Sequence, residues 1–326
     1  MVYSNEFLRH DPGRGHPERP ERLLAITQAL REQGIWQQLV VLEPRKAERE
    51  EILLVHDHSY LELLRELSGK RIPLDADTPM GEHTYEVALL AAGGSVVGAE
   101  AVLGGKNCFC LVRPPGHHAG RSSGAGFCYL NNIAIAVATL RRRGLKRILI
   151  LDLDAHCGNG TEEIFYRDPS VLYISFHQDP THFYPGTGFS WQTGEGEGEG
   201  YTVNVPLPPG SGDAEYAAAV KEIFEPLCDQ FKPELIAVSM GFDAHRDDPL
   251  TSLNLSSESF GWLAQSVLDR GRALFVLEGG YDLKGTAEGA CNVFRCMLGE
   301  RFETPAPRSP PVLREVKAQL GRYWKL

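Results

Sequence analysis

Six short apolar runs limit the fold of this chain more than any other feature: "CFCLV" (108–112), "RILILDLD" (147–154), "VLYISF" (171–176), "TVNVPL" (202–207), "LIAVSM" (235–240) and "ALFVLE" (273–278). Several are continuously apolar rather than alternating, which is the pattern of strands buried on both faces of a parallel sheet. Helix-like stretches lie around them, at 18–34, 48–68, 83–104, 127–143, 213–230, 256–270 and 285–299. The expectation is an α/β fold with a mostly parallel central β-sheet and helices on both faces. Composition does not shift along the chain and no solenoid repeat appears, so residues 1–326 are read as one domain. No apolar run approaches the ~20 residues of a membrane span. The first residues, "MVYSNEFLRHDPGRGHPERPERL", lack a basic-then-apolar signal pattern, so a cytoplasmic location without membrane association is expected.

In open α/β sheets the ligand sits beyond the carboxyl ends of the strands. The polar residues just after each run are therefore informative. "CFCLV" leads to "RPPGHHAG", with His117 and His118 in tandem. "RILIL" runs into Asp152, Asp154 and His156, spaced by two. "LIAVSM" leads to "GFDAHRDDPL", and "ALFVLE" to "GGYD" with Tyr281. If the chain stays extended through 152–156, these three side chains share one side. Two carboxylates on one face repel unless a cation lies between them, and Asp and His are both good ligands for a divalent metal. A third carboxylate from 241–248 completes three protein ligands and leaves a coordination position open, as in a catalytic site. Next to it, the two imidazoles suit proton transfer at neutral pH. Each needs an acceptor for its other nitrogen, and Asp152 and Asn159 are at hand. Tyr281 is placed to donate to a developing oxyanion. Together these parts describe metal-assisted hydrolysis of a carbonyl.

A formal net charge of −10 argues against direct nucleic-acid or anionic-lipid binding and is compatible with cationic substrates. The seven cysteines show no framework spacing and read as reduced, buried thiols. The chain has no dinucleotide fingerprint, P-loop or "GxSxG" elbow. "GEGEGEG" (194–200) reads as a solvated acidic loop.

The residues, in this order, resemble the zinc-dependent histone deacetylase and acetylpolyamine amidohydrolase family, whose fold is arginase-like. The likeness is carried by "GHPERPERL", "RPPGHHA", "GFCYLNNIAIA", "DLDAHCGNGT", "FYPGTG", "GFDAHRDDPL" and "EGGY", and "GNGT" and "EGGY" place it nearer the class II branch. The resemblance implies removal of acetyl or a related small acyl group from lysine side chains of a peptide or protein, or from an acetylated polyamine. It implies one catalytic Zn2+ held by Asp154, His156 and Asp248, the last chosen because it directly precedes Pro249. His118 becomes general base and acid with Asn159 as partner, His117 its companion paired with Asp152, and Tyr281 the oxyanion donor. Gly126, Phe127 and Tyr184 would form a narrow tunnel for an aliphatic stem, and Arg22 would line an internal cavity. Structural potassium is implied at Asp152, Asp154, His156, Ser175 and Phe176, and a second ion around Phe165, Asp168, Val171 and Tyr201.

The chain departs from the family in places. Cys157 stands where a His is more usual. Leu255 is assigned to a rim position where polyamine-selective relatives carry Glu, which favours a lysine substrate. Phe189 and Trp191 are expected to reshape the entrance, and His177 and His182 to be packing residues. Three alternatives stay open: an acetylpolyamine amidohydrolase, a non-catalytic acyl-lysine binding module, and a binuclear manganese hydrolase.

Overall fold

A computed structural model describes all 326 residues. All six apolar runs form strands: β1 (Cys108–Cys110), β2 (Ile148–Asp152), β3 (Val171–Gln178), β4 (Thr202–Leu207), β5 (Leu235–Met240) and β6 (Ala273–Leu277). They make one sheet in the order β1-β6-β5-β2-β3-β4, and every pairing is parallel. Every residue of all six strands is buried, as continuous apolar runs require. Helices cover both faces, as β1 shows. Cys110 faces Gly98 of the helix Thr84–Leu103, so closely that a Cβ on Gly98 would lie 2.2 Å from its sulfur. Phe109, pointing the other way, stacks on Phe294 of the helix Leu283–Met297, with ring centroids 5.1 Å apart. The buried apolar side chains form one connected cluster of 88 residues.

The helix Thr84–Leu103 corrects one expectation. Its 20 residues, with mean hydropathy 1.6, are long and apolar enough to span a membrane, yet 61% of that window is buried inside the protein. It lies against β1, β6 and the helix Asn132–Arg142, and is apolar because it is a core element.

Two expected helices are shorter than their periodicity suggests. The stretch 48–68 breaks into Arg49–Ile52 and Glu-rich His58–Lys70, because the intervening His56 is bonded elsewhere. Its Nδ1 meets the Gly120 carbonyl and its Nε2 accepts the Asn131 amide. The helix expected from 127 starts at Asn132, where the Asn131 side chain caps it through the Ala134 amide. That frees residues 126–131 for the active cleft. Helices Asn159–Phe165 and Val312–Leu320 were not among the expected ones.

Candidate active site

The parallel sheet brings the ends of β2, β5 and β6 and the loop after β1 to one rim. β2 stops at Asp152, and Asp154 and His156 follow in the loop beyond it. The Asp152 carboxylate turns to His117 Nδ1 at 3.1 Å. Asp154 faces the same imidazole, its Oδ1 3.7 Å from His117 Nε2, and together with His156 it also meets the segment after β5.

There they meet Asp243. His156 Nδ1 lies 2.9 Å from Asp243 Oδ2 and 3.0 Å from Asp154 Oδ1. Donor atoms of Asp154, His156 and Asp243 all lie within 4.8 Å of one another. Asp243 thus stands beside the expected pair Asp154 and His156 in the metal-free arrangement. Asp243 follows β5 by three residues, and Gly241 lets that segment press against Asp154, where a Cβ would sit 2.4 Å from a carboxylate oxygen. Asp248, the third ligand expected from the resemblance, is buried near the same groups, and the charge of His156 acts on its carboxyl. The Asp248 carboxylate is taken by backbone amides, Leu250 at 2.9 Å, Tyr281 at 2.7 Å and Asp282 at 3.3 Å. These bonds tie the Tyr281 loop to the segment after β5.

The donor set fits a divalent cation. Two carboxylates and an imidazole are buried together, with Asp243 at 0% and Asp154 at 1% exposure, and no lysine or arginine pairs with them. Burial, then the charge of Asp154, pushes the Asp243 carboxyl up to about 7. Burial would raise Asp154 too, but His117 and His156 hold it well below the usual range. His156 is pushed up to about 9, its two carboxylate neighbours outweighing burial. Without an ion the cluster must retain protons; a dication resolves that repulsion. Zinc accepts this ligand combination with a position to spare.

The tandem histidines are separated in character by their surroundings. Burial alone would lower His117, but Asp154 and Asp152 outweigh it and push it up to about 10. His118 Nδ1 lies 2.7 Å from Asn159 Oδ1. Burial, then the neighbouring His117 and His156, hold its pKa well below the usual imidazole range. Because the Asn159 oxygen only accepts, His118 carries its proton on Nδ1 and leaves Nε2 free as a base. Divergent environments on paired groups are the mark of divided acid and base roles. Behind Asp152, Tyr173 Oη lies 3.2 Å from its Oδ2 and 3.2 Å from the Gly158 carbonyl.

A cavity of about 320 Å3 opens onto these groups. His118, His156 and Tyr281 form its floor; Gly126, Phe127, Phe183 and Tyr184 wall it; Asp77 and Leu250 stand at the mouth. Gly126 and Phe127 both adopt positive φ, 55° and 69°. A side chain at 126 would strike His118 and Tyr184, so the turn aims the Phe127 ring inward without crowding the histidine. Phe183 stacks on His156 at 4.7 Å. Leu255 is not at the rim. It is fully buried and pairs with Ala244 through its backbone; Leu250, 37% exposed, holds the mouth position. Tyr281 packs edge-on to Phe127 at 5.7 Å, with the Arg22 guanidinium 5.0 Å from its ring. Burial pushes its pKa up, so the hydroxyl stays a donor.

Arg22 is fully buried, with Nε on the Gly280 carbonyl at 2.6 Å, Nη2 on the Glu278 carbonyl and Nη1 on Glu18. Ser175 faces Asp152 across the β2–β3 register, and its hydroxyl meets His177 at 2.7 Å. The carbonyls of Phe165 and Asp168 take the amides of Asp168 and Val171.

Sequence comparison agrees with this geometry. The profile of the histone deacetylase domain matches residues 16–297. The chain belongs to the histone deacetylase family. It is 48% identical over 321 residues to a probable deacetylase of Archaeoglobus fulgidus, covering 95% of this chain and 88% of that one. It is 42% identical over 310 residues to the human polyamine deacetylase HDAC10, covering 89% of this chain and 45% of that one. The solved HDA15 HD domain superposes with a TM-score of 0.95 at 35% identity, covering 99% of this chain and 94% of the other. The fold is the arginase/deacetylase fold of that structure, and the chain is a hydrolase of this family with a cluster suited to a catalytic divalent ion.

Proposed function

We propose that this family member is a zinc-dependent lysine deacylase that releases acetate or a similarly small acid from acylated lysine side chains. One observation carries the reading: the Asp154, His156 and Asp243 cluster, with Asp248 acting on His156, adjoins a cavity whose floor also holds the free nitrogen of His118 and Tyr281, and Asp154, His156 and Asp248 are the zinc ligands of this proposal. A zinc ion there supplies a Lewis acid for the carbonyl and a lowered pKa for water. The remaining roles fall to the chain's own side chains. His118 Nε2 takes a proton from the attacking water and returns it to the departing nitrogen, so the amine leaves neutral and then protonates in solvent. Asn159 fixes the tautomer that makes this possible. Tyr281 donates to the oxyanion, and His117, held as a cation by Asp152 and Asp154, adds positive field to the floor. Phe127 and Tyr184 admit an unbranched apolar stem. Potassium beside Asp152 and Ser175 belongs to this proposal as a structural ion.

The second reading is deacetylation of polyamines. It is favoured by exposed Asp77 at the mouth, which suits a second ammonium, and by the human relative's name; apolar Leu250 beside it favours lysine. The test is acetate release by zinc-loaded protein from an acetyl-lysine peptide and from acetylputrescine and acetylspermidine. Faster turnover of the peptide is expected. Turnover of the polyamines alone selects the second reading, and ligand binding without acetate release rejects both.

A further inference from the structure

Glu278 takes no part in the chemistry above, yet it is fully buried at the end of β6, three residues before Tyr281. Its Oε2 accepts the amide of Gly116 at 2.7 Å and that of His117 at 3.2 Å. Its Oε1 lies 3.5 Å from the Ser239 hydroxyl. No lysine or arginine side chain bonds the carboxylate; Arg22 goes to the backbone carbonyl instead. A buried carboxylate without an ion pair is costly, so its two amide bonds need a reason.

The loop after β1 supplies one. β1 has only three residues, and the sheet no longer pairs the chain at 116–118. The two consecutive amides of Gly116 and His117 form a concave anion seat, and Glu278 fills it. From the same residue onward, Gly279 donates its amide to Asp154 at 2.8 Å and Tyr281 its amide to Asp248 at 2.7 Å. One side chain thus joins the backbone that carries both histidines to the backbone that carries the oxyanion donor.

We infer that Glu278 is a positioning residue, whose reach sets the distance between the His117–His118 backbone and Tyr281. The inference rests on the hydrolase reading, and acetate release by the wild type tests that reading separately. Glu278→Gln and Glu278→Asp are compared with wild type as full-length, zinc-loaded protein. Gln keeps an acceptor at the same reach and loses the charge. Asp keeps the charge and withdraws by one methylene. Positioning predicts that Asp lowers kcat on the order of tenfold to a hundredfold, with KM and zinc content unchanged, while Gln loses no more than a fewfold. A slow Gln variant beside a normal Asp variant assigns the role to charge and overturns the inference. It is equally overturned if both stay within about twofold, or if Asp lowers only Tm while turnover per bound zinc is unchanged.

Discussion

Replacing Tyr281 with Phe removes one oxygen and leaves the ring in place. The ring keeps its contact with Phe127, at 5.7 Å, and with the Arg22 guanidinium, at 5.0 Å. The hydroxyl has no hydrogen-bond partner within the protein, so no buried group loses one, and unfolding free energy should move by less than about 1 kcal/mol. The metal cluster is untouched, since Tyr281 reaches it only across the cavity. What is lost is one donor aimed where charge develops. Such a donor is worth about 2.7–4 kcal/mol, so kcat should fall by about 10²–10³. The bond strengthens on going to the transition state, so KM should change little. The assay is acetate release from an acetyl-lysine peptide at saturating substrate, with zinc content measured on the same preparation. A zinc-replete variant with kcat within about threefold of wild type would refute the reasoning and remove Tyr281 from the mechanism.

Three further outcomes follow from the same geometry. Glu162 is buried beside the Cys157 thiol, at 3.5 Å, and Asn204, with no cationic partner, and burial pushes its pKa from 4.5 up to about 7. The folded state therefore holds a proton that the unfolded chain releases, and the residue costs stability as pH rises through that window. Glu162→Gln should gain on the order of a few kcal/mol over wild type at pH 8 and almost nothing near pH 4; denaturant unfolding that shows a pH-independent gap contradicts this. In the metal-free protein burial pushes the Asp248 carboxyl up to about 6 and Asp243 up to about 7, and His156 lies at about 9, so an ion bound here competes with protons. Zinc affinity should rise from pH 6 to pH 8, with on the order of one proton released near neutrality, as read by calorimetry in two buffers of different ionisation heat; a flat pH dependence tells against the cluster. Leu250→Glu places a carboxylate at the cavity mouth and should shift the turnover ratio several-fold toward acetylspermidine, whereas an unchanged ratio removes Leu250 from substrate choice.

The sheet was legible because its strands are continuous apolar runs, which only a parallel, doubly covered sheet accommodates. Helix ends were less so. His56 and Asn131 interrupt helical periodicity through contacts with residues far along the chain, and nothing local signals that. Asn159–Phe165 was hidden because its first residues read as a motif loop. In the site, the pairings His117–Asp152 and His118–Asn159 are those expected from adjacent strand-end motifs. The third carboxylate rests on the resemblance, because "GFDAHRDD" offers three aspartates within six residues and spacing alone does not choose among them. Gly241 marks the close approach of this segment to Asp154, as a glycine just past a strand does. Leu255 was misplaced on the same loop. Glu278 carried a weaker signal: an acid ending an apolar strand directly before two glycines.

The most direct test is the anomalous scattering of zinc in a crystal of the zinc-loaded protein. The account predicts one strong peak about 2.0–2.2 Å from donor atoms of Asp154, His156 and Asp248, with a position open toward the cavity. A peak away from Asp154 and His156, or a fourth protein ligand closing that position, would contradict it.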